Sequence, residues 1–590
     1  MGSAVGDNGT GEKKAQRVTE VQYLNMQEDE RSGQTKDSIS GGDSVEGAKV
    51  FERIDGPEAR DGEAGSSVAN SSDDYYDPGL VSRYEDDSIM SAVGGGAGSD
   101  GSMGFRSEST RRLTEDSSSQ GKLTKNLAWA VLASAVGSSF QHGYNGGVVN
   151  APEKLIGQFI NETYFARHSQ VASEAQIDFV FALVVSVFCI GGCLGALSTA
   201  IVADRIGRKE GLFYNNLLVL VACPLMASAR SFNSYELLIF GRLLIGLNAG
   251  LNAGLAPLYL NEISPVNLRG ALGTIYQLVI TISIFLSNLL GVPSLFGTTD
   301  LWPFLFAIPL LPAAFMLITL PHCCESPKFL LLNQGRELQA QQALAWFRGT
   351  GEIQDEMDEL RGENELSKMS APISLREMYC QVSLRKPLTI SIVIMLSQQF
   401  SGINAVLFFS TSIFRSAGLD EHAAIRATLG MSLVNVLVTI VSLFLVDKAG
   451  RKTLHTTGLL GMAATSFVLA ICLGGSASAQ TSQASSFVAI VSVYVFIVMF
   501  ASGPGSIPWF LVAELFPSNA RSLASSIAVS VNWLANFTVS LCFLPISNIL
   551  HGFTFLIFTL LLLIFSAFTY YKVPETKGAT SEEISALFKR

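Results

Sequence analysis

The sequence predicts an all-α membrane protein of twelve spans in two six-helix halves, preceded by a long acidic tail, and three observations carry this reading. First, Asp204-Arg-Ile-Gly-Arg-Lys209 recurs 243 positions later as Asp447-Lys-Ala-Gly-Arg-Lys452, each copy set between long apolar runs. Second, Glu262-Ile-Ser-Pro265 with Arg269 recurs 252 positions later as Glu514-Leu-Phe-Pro517 with Arg521, and such repetition of order and interval marks a duplicated unit. Third, 15% of the 590 residues are charged and 48% hydrophobic, a balance foreign to an ordinary soluble enzyme.

The elements follow in order. Residues 1–125 hold 14 Lys and Arg against 24 Asp and Glu, so the remaining 465, with 26 of each sign, are neutral. Rich in Ser, Gly, Asp and Glu, this tail cannot bury enough apolar surface to offset the entropy of ordering, and is expected to be disordered and cytoplasmic. Windows of about 20 apolar residues, the length a helix needs to cross hydrocarbon, then recur. They lie near 127–149, 178–203, 211–229, 237–260, 271–292, 302–320, 387–409, 425–446, 455–475, 486–511, 522–544 and 553–571. The polar segment 321–386 separates a first bundle, 126–320, from a second, 387–572, and a tail, 573–590, follows. Within that linker, Glu337 to Lys368 alternates charge with Leu, Ala and Met at helical spacing, which predicts short amphipathic helices outside the bilayer.

With both termini cytoplasmic, inner loops and the C-terminal tail hold 20 basic residues and outer loops five: Lys154, Arg167, Arg230, Arg415 and Arg426. Cytoplasmic loops carry the excess of Lys and Arg, so this orientation is favoured. The eight cysteines imply no disulfide framework. Of the N-x-[ST] sequons only Asn161 falls in an outer loop, as a glycosylation candidate or an unmodified loop residue.

A polar side chain in mid-membrane is costly unless satisfied. Here the important ones are amides: Gln277 on the fifth span, Gln398, Gln399 and Asn404 on the seventh, Asn435 on the eighth, Asn532 and Asn536 on the eleventh. An amide offers donors and an acceptor together, which suits a neutral polyhydroxyl ligand. Such amides also bridge neighbouring helices, the plainer reading for Asn532. On an unbroken helix Ser397, Gln398, Ser401 and Asn404 share one face and Gln399 points away, while Gly402 loosens the turn. Gly503-Pro-Gly-Ser-Ile-Pro-Trp509 must bend or break its helix, and a broken helix lines a transporter's cavity. Trp509 beside it offers a flat apolar face and an N–H. His142 on the first span reads either as a satisfied structural group or as a proton sensor.

Together with Glu236-Leu-Leu-Ile-Phe-Gly-Arg242, Glu325-Ser-Pro-Lys-Phe-Leu330, Gln398-Gln-Phe-Ser-Gly-Ile-Asn404, Ser410-Thr-Ser-Ile-Phe414 and Pro574-Glu-Thr-Lys-Gly578, these residues give the chain a resemblance. From Leu127 onward it resembles the sugar porter family of the major facilitator superfamily, nearest to the class I facilitative glucose transporters of eukaryotes. The resemblance implies a major facilitator fold rocking around a central hexose site. Gln277, Gln398, Gln399, Asn404, Asn435, Trp509 and Asn536 would occupy its sugar-contacting positions. It also implies a cytoplasmic gate holding the outward-open state, formed here by Arg208, Arg242, Glu262, Arg269, Glu325, Arg451, Glu514 and Arg521. The chain departs from the family pattern at Ala501 (a glutamate), Met395 (a glutamine), His142 (an aromatic residue), Cys324, Lys328 and Ala200, which points to softened hexose selectivity.

Asn145 stands where proton-coupled relatives place an aspartate, and no carboxylate lies in the middle of a predicted span, so passive uniport is expected. The alternatives are a proton-coupled sugar or polyol symporter and a non-transporting sugar sensor acting through its tail. No phosphate loop, hydrolytic site, metal site or cofactor is indicated, and the chain is not expected to be an enzyme. The expected partners are a small hexose and the lipid bilayer, not nucleic acid; the tail's partner is not legible.

Overall fold

Helices start where the sequence supplies caps. Thr124 accepts the Leu127 N–H ahead of Lys125–Ser134 (α1), Ser173 closes a capping box with Gln176 ahead of Glu174–Arg205, and Asp420 caps Glu421–Ala449. The computed structural model describes residues 122–577 apart from 266, 370–372, 475–482 and 517, together with 584, 587 and 588. The acidic tail lies outside the described residues, as do the side chains of Arg269 and Asp447.

In the first repeat α1 continues through a π-helical turn, Ala135–Ser139, into Phe140–Gly147 (α2). Then come Glu153–His168 (α3), Glu174–Arg205 (α4), Arg208–Ser228 (α5), Tyr235–Ile263 (α6), Arg269–Leu290 (α7), Trp302–Leu305 (α8) and Leu310–Thr319 (α9). The linker forms Glu337–Arg348 (α10), Gln354–Met369 (α11) and Leu375–Cys380 (α12), so the amphipathic stretch is helical as its spacing predicts. The second repeat holds Val382–Gln399 (α13), Ile403–Ser416 (α14), Glu421–Ala449 (α15), Arg451–Gly474 (α16), Gln483–Ser502 (α17), Ile507–Glu514 (α18), Ser518–Leu550 (α19) and Thr554–Lys572 (α20).

Among the described residues nine helical segments are long and apolar enough to cross a membrane. One of them, Ala520–Lys572, is 53 residues long and contains both α19 and α20, while the apolar part of α7, Ile275–Leu290, is shorter. Leucines and isoleucines such as Leu194, Ile201, Leu560 and Ile564 face outward, as a hydrocarbon-facing surface requires. Inside, α4 and α6 meet backbone to backbone: a Cβ on Gly191 would stand 2.2 Å from the Leu243 carbonyl, and one on Gly250 2.1 Å from that of Gly192. The repeats meet along α4 against α19, where Trp533 lies over Gly192 and edge-on to Phe188.

Candidate functional site

Two helices break at the centre of the second repeat. Between α13 and α14, Gly402 takes φ +88°, where a Cβ would also stand 2.8 Å from the Phe558 ring. Between α17 and α18 the chain turns at Gly503–Ser506, and Pro508 sits in the first turn of α18, where its missing N–H costs nothing. A broken helix leaves carbonyls without helical partners. Gln398 takes two of them, its Nε2 donating to the carbonyls of Pro504 and Gly505 at 2.9 Å each.

The Gln398 Oε1 accepts from Asn532 Nδ2 at 2.8 Å and from Gln399 Nε2 at 3.2 Å. Gln399 Nε2 also donates to Asn532 Oδ1 at 2.9 Å, and Asn404 Nδ2 donates to Gln399 Oε1. Four buried or half-buried amides thus form one connected cluster across α13, α14 and α19. Gln399 does not point away as an unbroken helix would make it, because α13 ends at that residue and the turn brings it to Asn404. Asn532 does bridge helices, yet it does so by holding both glutamines. The signal available in the sequence was its place one helical turn before Asn536.

The remaining candidates lie on separate elements. Asn435 is buried on α15, Gln277 is half-buried on α7, and Trp509 packs beside Met395, Val512 and Ala528. Asn536 accepts from Ser540 Oγ at 3.1 Å. His142 places Nδ1 3.0 Å from Tyr276 Oη and stacks on Trp533 with centroids 5.6 Å apart, joining α2 and α7 to α19. Met395 and Ala501 are both buried.

At the linker end the duplicated motifs build the same construction twice. Arg208 Nε lies 2.9 Å from Glu262 Oε2, which also accepts from Ser326 Oγ. Arg451 Nε lies 3.3 Å from Glu514, which also accepts from Thr576 Oγ1. Glu325 accepts the Lys209 N–H at 3.0 Å and Glu575 the Arg451 N–H at 2.8 Å, so that each carboxylate caps the N-terminus of a helix far back in the chain, α5 and α16 respectively. Gly207 and Gly450, at φ +113° and +88°, make room, since a Cβ would stand 2.6 and 2.7 Å from those carboxylates. Burial pushes the Glu325 carboxyl up, and the backbone N–H groups oppose this. Each of these ion pairs lies within one repeat. Arg521 donates to the Phe516 carbonyl at 3.3 Å. Arg242 lies elsewhere: fully buried in mid-bundle, it donates to the carbonyls of Asn145 at 2.7 Å and Val184 at 3.2 Å and covers Phe188.

At the opposite end the repeats are joined. Asn150 Nδ2 donates to Ser410 Oγ at 2.6 Å and Asn288 Nδ2 to Ser432 Oγ at 3.0 Å. Asn548 donates to Asp178 at 2.6 Å, and two ion pairs, Glu153–Arg415 and Lys154–Glu421, cross above them. Asn161 lies on α3, with Oδ1 accepting the Ala172 N–H at 3.1 Å and Thr163 of its sequon buried.

An apolar exterior, two helices broken at the bundle centre and a buried amide cluster between them define a membrane transporter for a small polar solute. The chain belongs to the sugar transporter family: the family described as "Sugar (and other) transporter" matches residues 130–588. It is 43% identical over 475 residues to facilitated glucose transporter protein 1 of Caenorhabditis elegans, covering 80% of this chain and 92% of that one. It is 42% identical to solute carrier family 2, facilitated glucose transporter member 3, of Homo sapiens, covering 79% and 93%. Its fold is similar to that of the proton:xylose symporter XylE of E. coli, with a TM-score of 0.66 at 24% identity over 79% of this chain and 100% of that one.

Proposed function

We propose that this chain is a facilitative hexose carrier, taking D-glucose and, less selectively, mannose, galactose or fructose down their gradients by alternating access. The observation that carries the reading is the amide cluster of Gln398, Gln399, Asn404 and Asn532 between two broken helices, to which the proposal adds Gln277, Asn435, Asn536 and Trp509 as further sugar contacts. It offers donors and acceptors without net charge, as a neutral polyol requires. Relatives named as facilitated glucose transporters support the substrate class.

Twelve crossings follow when Ala520–Lys572 is divided between α19 and α20, and α1 with α2 and α7 are counted as spans. The chain then forms two six-helix halves, 126–320 and 387–572, about the 321–386 linker, in the plasma membrane with both termini cytoplasmic. The linker end faces the cytoplasm, so this conformation is closed outside. Arg208–Glu262 and Arg451–Glu514 are held within repeats in this state and exchange partners across the seam, with Arg269, Glu325 and Arg521, when the inner end closes. Asn161 is the candidate glycosylation site of the outer face. Uniport is supported by Asn145 and by Arg242, whose bonds go to backbone carbonyls. The test is radiolabelled hexose uptake in voltage-clamped cells lacking their own carriers. Saturable uptake without sugar-evoked current is expected; an inward current or external alkalinisation would make the chain a proton symporter, and no uptake, a sensor.

A further inference from the structure

Few bases lie at the end opposite the linker, and their pairing is uneven. Arg167 pairs with Glu236 and Arg230 with Asp300 inside the first repeat. Among the described residues two pairs cross the seam, Arg415 Nη2 with Glu153 Oε2 at 3.0 Å, and Lys154 with Glu421. Arg415 Nη1 also lies 3.5 Å from Glu421 Oε2 and so ties the two together. Their exposure differs: the side chains of Glu153 and Arg415 keep 14% and 21% of their surface, those of Lys154 and Glu421 53% and 36%. Opening this end has to part Asn150 from Ser410 and Asn288 from Ser432, and it returns Glu153 to water. A carboxylate withdrawn from water needs a counter-charge. Arg415 belongs to the other repeat, so it reaches Glu153 only when the two meet.

We propose that Arg415 is the counter-charge on which closure of this end depends: it crosses the seam to the Glu153 carboxylate that closure buries, and with Lys154–Glu421 it forms an electrostatic latch between the repeats. The proposal rests on the alternating-access reading above. Burial pushes the Glu153 carboxyl up to about 7; Arg415 and Lys154 act to lower it and Asp178 and Glu421 to raise it. A proton on Glu153 therefore removes the need for Arg415. The exposed Lys154–Glu421 pair contributes less, because solvent screens it.

The test places a thiol beneath the latch with Ser432→Cys in the full-length chain. Ser432 is 1% exposed, and it lies about 16 Å along α15 from Glu421. The rate at which a membrane-impermeant maleimide labels it on intact cells at pH 8 reports opening. Adding Arg415→Gln is expected to speed labelling about fivefold or more. Adding Glu153→Gln to that variant is expected to restore the parent rate, and so is lowering the external pH to about 5.5, below the raised carboxyl, once each rate is divided by that of a fully exposed cysteine at the same pH, because the thiolate that reacts becomes scarcer in acid. The charge swap Glu153→Arg with Arg415→Glu is also expected to label as the parent does. Lys154→Gln should speed labelling no more than about fivefold. Parent-like labelling of Arg415→Gln at a normal surface level overturns the proposal, and so does fast labelling that persists once Glu153 is neutral. Should Arg415→Gln not reach the surface, fast labelling of the swap overturns it and parent-like labelling upholds it. Hexose uptake by the parent is measured in parallel; its absence would remove the carrier reading while labelling still reports the latch.

Discussion

Replacing Gln398 by leucine removes more than a proposed sugar contact. The carbonyls of Pro504 and Gly505, freed by the break between α17 and α18, both lose their donor, and Asn532 and Gln399 lose an acceptor. The two amides keep other bonds, to the Met395 carbonyl and to Asn532 Oδ1 respectively, whereas among the described residues the two carbonyls have no second donor. A buried polar group left unpaired costs about 1–3 kcal/mol, so two carbonyls cost about 2–6 kcal/mol, a large fraction of a typical folding stability. Asn404→Leu leaves one buried acceptor, Gln399 Oε1, without its Asn404 donor, about 1–3 kcal/mol, and takes away one proposed sugar bond, about 0.5–1.5 kcal/mol, or about a two- to twelvefold change in half-saturation. From residue type alone the two substitutions look equivalent, each lowering affinity and sparing expression; the geometry separates them. Surface biotinylation and thermal unfolding in detergent should show Gln398→Leu depleted and the less stable of the two, and Asn404→Leu less affected, with weakened uptake. If Gln398→Leu reaches the surface and melts like the parent, Gln398 does not hold the helix break together and the reasoning fails.

Gly402→Ala combines a left-handed backbone, costing about 1–2 kcal/mol, with a Cβ 2.8 Å from Phe558; it should lower the unfolding temperature, Phe558→Leu should recover part of the loss, and an unchanged melt would refute the strain. For the unmodified outer end, burial holds the Glu153 carboxyl near 7 when closed, and it returns towards the ordinary carboxylate range when solvated. The closed state thus binds the proton more tightly, so its extra stabilisation is complete in acid and is lost as pH rises through about 7. Labelling of Ser432→Cys, divided at each pH by that of a fully exposed cysteine to remove the thiol's own pH dependence, should therefore slow as external pH falls from about 8 to about 5, and a ratio indifferent to pH would contradict this sign. Ala501→Glu should narrow the hexose range, cutting competition by galactose, mannose or fructose several-fold, since each added hydrogen-bond test is worth about 1 kcal/mol. Ala501 is buried, so surface expression must be measured alongside.

Much of this was legible in the sequence because glycine, proline and the amides act locally. The glycines and prolines of 503–508 broke their helix where the missing donors required it, and the spacing of charge and apolar residues fixed the linker helices. What was not legible depends on contacts between distant segments. An unbroken helix points Gln399 away from Gln398, and how far the loosening at Gly402 turns it back depends on its contact with Asn404. Asn532 could not be told from a packing amide, since its partners lie on α13, more than a hundred residues away. The crossing of Glu153 to Arg415 joins residues 262 positions apart and leaves no local periodicity.

The amide cluster is closed upon itself. Gln398, Gln399, Asn404 and Asn532 already satisfy one another and the carbonyls of the broken helix. If the cluster is the sugar site proposed above, an arriving hydroxyl finds few idle groups, and each bond it makes replaces one that existed. The net gain is a difference between nearly equal sets of bonds, and the solute rests in a shallow well. For a catalyst that must release its cargo unchanged on the far side, shallowness is an advantage: a deep well would slow departure as much as it aided capture. Selectivity in such a site comes from which rearrangement a sugar allows, and speed comes from how little that rearrangement costs.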